Sequence, residues 1–208
     1  MQLNITIEIQ GFGPVVRSCN ASVATAAGVA LLAIFFQLIP SLGEIFQWQR
    51  GGSLLTYLTG HLTHWSWNHL IWDLAAFATL SFAAIRLIPQ RFLLCLLVAG
   101  IVIPLEIALN QPQFETYRGL SGIDSALLGL TIAGLWKLRQ TSRFIAAIAL
   151  IAFVSKTIYE LTTGDTIFVE QAQQAFIPAT SAHISGFLAG LASGLIPALG
   201  RSPQTDAV

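Results

Sequence analysis

Six apolar segments, each close to the roughly 20 residues that a helix needs to cross a bilayer, take up most of this chain. Only 10% of the residues are charged, against about 25% in a typical soluble domain, and the mean hydropathy is +0.70. Such a chain has too few charges to cover a water-facing surface. The sequence therefore predicts an all-α membrane protein, a bundle of six transmembrane helices. The segments are 22–42, 67–88, 92–109, 119–138, 144–159 and 178–199.

The basic residues between these segments predict how the chain is oriented. Seven of them fall on one side of the membrane, whereas Arg50 and Arg118 fall on the other. Because cytoplasmic loops carry the excess of Lys and Arg, both termini are predicted to be cytoplasmic. The predicted organisation is a cytoplasmic segment at 1–21, a membrane domain at 22–199 and a cytoplasmic tail at 200–208. The seven residues are Arg17, Arg86, Arg91, Lys137, Arg139, Arg143 and Arg201.

Composition and spacing argue against two classes of partner. The formal net charge of zero leaves no basic surface for nucleic acid. His61 and His64 form an HxxH pair that, with His69 and Asp73, could be pictured as a metal site. No HExxH motif accompanies them, and His61 is predicted to lie in the outer loop. We therefore predict no metal and no cofactor.

Polar side chains enter the membrane where the second, fourth and sixth segments begin on the outer side. Such groups are costly in lipid and are candidates for function. A rise of roughly 1.5 Å per residue from each helix start places Ser121, His69 and His183 at similar depth. Three separate helices would thus bring a hydroxyl and two imidazoles to one level. The full set is His64, His69, Asp73, Ser121, Asp124, His183 and Ser185.

Small residues predict which of these helices approach each other closely. Both the fourth and the sixth segment carry them at intervals of three or four, a pattern that lets helix backbones approach in lipid. One interpretation is helix packing alone. The other is that the packed ridges bring Ser121 beside His183 and so build a site. The residues are Gly122, Ala126 and Gly129 in the fourth segment and Gly186, Gly190 and Gly194 in the sixth.

Together these motifs resemble those of the rhomboid intramembrane serine proteases. Gly119-Leu120-Ser121-Gly122 is similar to the family's GxSG segment. His183-Ile184-Ser185-Gly186, with Gly190, is similar to its HxxGxxxG helix. His64 and His69 resemble the histidine pair that opens the second rhomboid helix. The motifs follow the family's order over the whole core, and the resemblance implies a six-helix rhomboid-like bundle.

A narrower resemblance is to the rhombosortase branch of that family. Trp48-Gln49-Arg50 and Leu58-Thr59-Gly60-His61, which precede His64, are similar to segments of that branch. This resemblance implies substrates that are exported proteins with a small-residue motif before a C-terminal membrane tail. The location it implies is the bacterial inner (cytoplasmic) membrane.

The family resemblance also implies a serine endopeptidase with two catalytic residues. Ser121 would be the nucleophile and His183 the general base, oriented by helix packing without a third residue. The backbone N–H of Ser121 and the side chains of His69 and Asp73 would stabilise the oxyanion. Substrates would be single-span membrane proteins cut near the outer membrane face. The loop at 160–177 would act as a lid.

Asp73 departs from the family pattern, which has asparagine four residues after the second histidine. Three interpretations are open. Asp73 is protonated and donates as an amide would, or it pairs with His69 and keeps it charged, or it makes the site weak or inactive. The last leaves an alternative function, a non-catalytic rhomboid-like protein that binds transmembrane helices.

Other polar residues receive structural predictions. Glu106 and Lys156 lie at comparable depths in the third and fifth segments and are predicted to form an ion pair. Asp124 shares a helix face with Ser121 and is predicted either to tune the site or to bond a neighbouring helix. His64 is predicted to hydrogen-bond at the outer end of the second segment.

Overall fold

The computed structural model of the chain describes residues 12–166 and 179–196, and it is mostly helical. Two short strands and a 3₁₀ turn at Gly60–Leu62 lie in the loops between helices. The strands are β1 (Trp48–Gln49) and β2 (Thr116–Tyr117). The helices are α1 (Phe12–Leu38), α2 (Pro40–Phe46), α3 (Leu55–Thr59), α4 (Trp67–Leu87), α5 (Pro89–Asn110), α6 (Ser121–Trp136), α7 (Gln140–Thr163) and α8 (Thr180–Leu195).

Four helices in the described ranges are long and apolar enough to cross a membrane: Ser18–Leu38 within α1, α4, α5 and α7. Their outward faces carry large exposed apolar side chains such as Leu31, Phe82 and Ile151, which suit a lipid environment. The chain is thus a multi-pass integral membrane protein. Helix α6 is apolar but has only 16 residues, or roughly 24 Å at 1.5 Å per residue. That length is less than the hydrocarbon thickness of about 30 Å.

Helix boundaries differ from the predicted segments at two places that matter. The first segment was predicted to run to residue 42, but α1 ends at Leu38. Pro40 disfavours helical backbone at Ile39 and starts α2 instead. Helix α7 continues beyond the predicted end at residue 159 to Thr163, and Gly164 ends it with a φ of +74°. Glu160, predicted to begin an outer loop, is therefore inside the last turn of α7.

Helix α6 is the centre of the bundle, because it packs against α4, α5, α7 and α8. The predicted small-residue ridges of α6 and α8 face each other. A Cβ added at Gly186 would overlap the carbonyl oxygen of Gly122, and one added at Gly190 would overlap the carbonyl oxygen of Ala126. The two backbones are in direct contact along this ridge, as the glycine spacing predicted.

Replacing Gly190 by alanine is expected to lower the free energy of unfolding by about 1–3 kcal/mol, because the added methyl group forces α6 and α8 apart. Thermal unfolding in detergent measures this effect. Gly28→Ala is the matched control, since Gly28 lies within α1 and a Cβ there meets nothing within 4 Å. Equal stability of the two variants would contradict the close contact at Gly190.

The loop after α2 and the loop before α6 are held together by β1 and β2. The strands pair antiparallel, with Trp48 opposite Tyr117 and Gln49 opposite Thr116. The guanidinium group of Arg50 then donates to four carbonyl oxygens at and just beyond the end of α5. This anchors the segment that leads into α6. The acceptors are Ile107, Ala108, Gln111 and Phe114.

Candidate active site

Ser121 and His183 lie in hydrogen-bond contact at the N-terminal ends of α6 and α8. The Oγ of Ser121 is 3.1 Å from Nε2 of His183. Ser121 is the first residue of α6, and His183 lies in the first turn of α8. The close approach of Gly122 and Gly186, one residue after Ser121 and three after His183, makes this contact possible.

The opposite nitrogen of the His183 ring contacts a carboxylate from α7. Nδ1 of His183 is 2.9 Å from Oε2 of Glu160, whose side chain is only 1% exposed. Lys156, one turn earlier in α7, donates to Oε1 of Glu160 at 2.5 Å and lies 3.3 Å from Nδ1 of His183. Glu160 and Lys156 therefore both contact the histidine, whereas the family resemblance implied orientation by helix packing alone.

This arrangement also corrects the predicted ion pair between Glu106 and Lys156. Glu106 accepts a hydrogen bond from Gln111 at 3.2 Å, whereas Lys156 pairs with Glu160 on its own helix. The prediction was wrong because α7 extends one turn further and offers Lys156 a carboxylate four residues away. That i,i+4 spacing was the signal in the sequence that could have identified the pair.

Asp73 lies at the centre of a second cluster, on α4. Its Oδ2 accepts the backbone N–H of Leu120 at 2.8 Å and is 3.2 Å from Nε2 of both His64 and His69. Of the three interpretations of Asp73, the pairing with His69 is the one that these contacts match. The hydrogen bond to Leu120 was not anticipated, and it ties α4 to the residue that precedes Ser121.

The loop into α6 passes close to this cluster at Gly119. Gly119 has a φ of +121°, and a Cβ there would lie 2.8 Å from Cε1 of His69 and 3.2 Å from Oδ2 of Asp73. Its N–H donates to the carbonyl oxygen of Gly60, and the Tyr117 hydroxyl donates to its carbonyl oxygen. Both the backbone conformation and the lack of space require glycine here.

The two remaining histidines have separate environments. His64 contacts Asp73 beside the start of α4, as predicted, and burial lowers the pKa of its ring. His61 instead donates from Nε2 to the carbonyl oxygen of Gly100 at 3.2 Å. Burial lowers the pKa of His61 to about 4, so it is neutral at pH 7. His61 therefore bonds to the backbone of α5, whereas His64 and His69 contact the carboxylate of Asp73.

A cavity of about 640 Å³ is lined by residues of both clusters, the one around His183 and the one around Asp73. Helix α4 lines one side with residues that include Trp72 and Ala76, and α7 lines the other with Phe153 and Lys156. Ser121, Asp124, Glu160 and His183 all face it. Asp124 is 7% exposed, and its Oδ1 has no hydrogen-bond partner among the described residues. Ser185 bonds back to its own helix, at the carbonyl oxygen of Ala182.

Fold and site together define a multi-pass helical membrane protein with a hydroxyl–imidazole contact in a cavity inside its helix bundle. The profile of the Rhomboid domain matches residues 51–199, more than half of the chain, and this chain belongs to the rhomboid family. The family's members are generally intramembrane serine proteases that act on transmembrane substrates within the bilayer. Among curated proteins, no match to the chain is found.

Proposed function

We propose that this rhomboid protein is an intramembrane serine endopeptidase with Ser121 as nucleophile and His183 as general base. The observation that carries the proposal is the 3.1 Å contact between Oγ of Ser121 and Nε2 of His183. A base within hydrogen-bond reach of a hydroxyl is the geometry that nucleophilic catalysis requires. Membership of a family of intramembrane proteases supports the same chemistry.

The reaction follows from that contact. His183 takes the proton of Ser121 as Oγ forms a bond to the scissile carbonyl carbon. The tetrahedral intermediate collapses, the C–N bond breaks, and the protonated imidazole gives its proton to the leaving amine. Water then attacks the acyl-enzyme, assisted again by His183, and releases the second product and free Ser121.

The oxyanion of the intermediate would be bound by the backbone N–H of Ser121 and by the side chain of His69. As the first residue of α6, Ser121 has an N–H outside the helical ladder, at the positive end of the helix dipole. Asp73 contributes indirectly: its contacts with His69 and with the N–H of Leu120 hold both oxyanion-binding groups in position.

Substrates would reach Ser121 through the cavity between α4 and α7, from the outer side of the membrane. The distribution of Lys and Arg supports six spans with both termini cytoplasmic. In that topology α6 starts on the outer side, and its 16 residues leave Ser121 below the membrane surface. The loop predicted as a lid at 160–177 begins only after α7 ends at Thr163, and most of it lies outside the described residues.

The substrate class that we propose is the one implied by the rhombosortase resemblance. Trp48-Gln49-Arg50 and Leu58-Thr59-Gly60-His61 support that assignment. The substrates would be exported proteins that carry a small-residue motif before a C-terminal membrane tail, and the enzyme would lie in the bacterial inner membrane. An extended tail segment with small side chains suits a cavity of about 640 Å³.

Co-expression with candidate tail-anchored exported proteins tests this function. Wild type is expected to release the exported domain from the membrane, and Ser121→Ala is expected to leave it anchored. Retention in both strains, with the substrate bound to the protein on co-purification, would instead identify the non-catalytic helix-binding alternative. Release that is equal in both would remove Ser121 from the mechanism.

A further inference from the structure

The contact between Glu160 and His183 joins α7 to α8. The 2.9 Å distance from Oε2 to Nδ1 spans α7 and α8, and both side chains are almost fully buried. A carboxylate removed from water is costly unless each oxygen has a partner. Here Oε1 is bonded to Lys156 and Oε2 to His183, so neither oxygen is left without one.

The two neighbours of Nδ1 make opposite demands on the imidazole. Glu160 requires a proton on Nδ1, whereas a hydrogen bond from Lys156 would require a lone pair there. The carboxylate contact is the shorter, 2.9 Å against 3.3 Å, and Lys156 makes its own short bond to Glu160. The shorter contact favours the tautomer with the proton on Nδ1, in which the lone pair of Nε2 faces the hydroxyl of Ser121.

We infer that Glu160 is a positioning residue for His183, so that the site works as a Ser–His–Glu triad. This inference rests on the proposed protease function. Glu160 selects the tautomer in which Nε2 can accept the proton of Ser121, and its negative charge stabilises the imidazolium that then forms. Lys156 holds the carboxylate in place from its other oxygen. The arrangement goes beyond the two-residue site that the sequence motifs imply.

A purely structural role for Glu160, tying α7 to α8, predicts a different result from the same substitution. It would lower stability and leave the reactivity of folded protein unchanged. A positioning role lowers the rate of the chemical step and leaves binding unchanged. Inactivation by a fluorophosphonate separates the two, because its maximal rate constant reports chemistry and its half-saturation concentration reports binding.

Glu160→Gln is expected to lower the maximal inactivation rate by about 10²- to 10⁴-fold, since the neutral amide cannot stabilise the imidazolium and can turn its NH₂ group towards Nδ1, which disfavours the reactive tautomer. The half-saturation concentration should stay within about twofold. Glu160→Asp keeps the carboxylate on a side chain that is one methylene shorter, so it should recover at least a tenth of the wild-type rate but remain measurably slower than wild type. Glu106→Gln is the matched control: Glu106 is a partly buried carboxylate on α5 that accepts a hydrogen bond from Gln111, and the variant should react as wild type.

An unchanged rate in folded Glu160→Gln overturns the inference, and so does a Glu160→Asp rate no higher than that of the amide variant. If Glu160→Gln does not fold, Glu160→Asp decides alone: a slower rate at unchanged half-saturation supports the inference, and a wild-type rate overturns it. Ser121→Ala separates this result from the function itself. If Ser121→Ala is still labelled, the protease assignment is wrong. If Ser121→Ala is not labelled but Glu160→Gln reacts at the wild-type rate, only the triad is wrong.

Discussion

Replacing Ser121 by alanine is expected to abolish covalent labelling by a fluorophosphonate and to lower substrate cleavage by about 10⁴-fold or more. The reason is geometric: Ser121 offers the hydroxyl that lies 3.1 Å from Nε2 of His183 at the start of a helix. His183→Ala should have a similar effect. The double variant should be no slower than either single one, because the two residues act as a unit.

Ser125→Ala is the matched control for this experiment. Ser125 lies one turn further along α6 and faces the same cavity, but its Oγ donates to the carbonyl oxygen of Ser121. Its removal should leave labelling intact. Undiminished labelling of Ser121→Ala, or loss of labelling only in Ser125→Ala, would refute the assignment of the nucleophile.

The second large effect is expected at Asp73. Alanine there leaves the buried N–H of Leu120 without its acceptor and removes the partner of His64 and His69. The free energy of unfolding should fall by about 1–3 kcal/mol. Cleavage should fall by about 10²-fold, because the segment before Ser121 and the ring of His69 both lose their support. Thermal unfolding and a cleavage assay on the same preparation measure both effects.

Asp73→Asn and Glu44→Ala complete that test. The asparagine can still accept from Leu120, so its effect should be smaller than that of alanine and cleavage should not exceed the wild-type rate. Glu44 is an exposed carboxylate on α2, and its removal should change neither measurement. A large gain of activity in Asp73→Asn would show that the native carboxylate impairs the chemistry and would contradict a supporting role.

Much of the bundle could be predicted because lipid makes simple demands on a sequence. Apolar segments near 20 residues lead to helices, and glycine at every fourth position leads to close helix contact. The contact of Ser121 with His183 follows from the second rule once both residues are placed at the start of their helices. These are local patterns, and each can be recognised within the sequence of one helix.

The parts that escaped prediction depend on geometry that no single segment contains. To predict the role of Glu160, one must know that α7 runs to Thr163 and that its last turn meets the first turn of α8. Glu160 and His183 are 23 positions apart in the sequence. The hydrogen bond from the N–H of Leu120 to Asp73 follows directly after Gly119, whose positive φ sets the direction of the loop. Side-chain partners across helices follow from register and rotation, which hydropathy does not encode.

Gly119 shows that a residue of a short motif can be required by the packing around a site and not by its chemistry. The first glycine of Gly119-Leu120-Ser121-Gly122 does no chemistry, yet the imidazole of His69 and the carboxylate of Asp73 occupy the space that any side chain would need. The second glycine, Gly122, instead packs against Gly186 of α8. The four letters therefore describe two separate neighbours of the serine, one on each side. In its two glycine positions, a pattern that looks like the signature of a nucleophile describes the groups packed around that nucleophile.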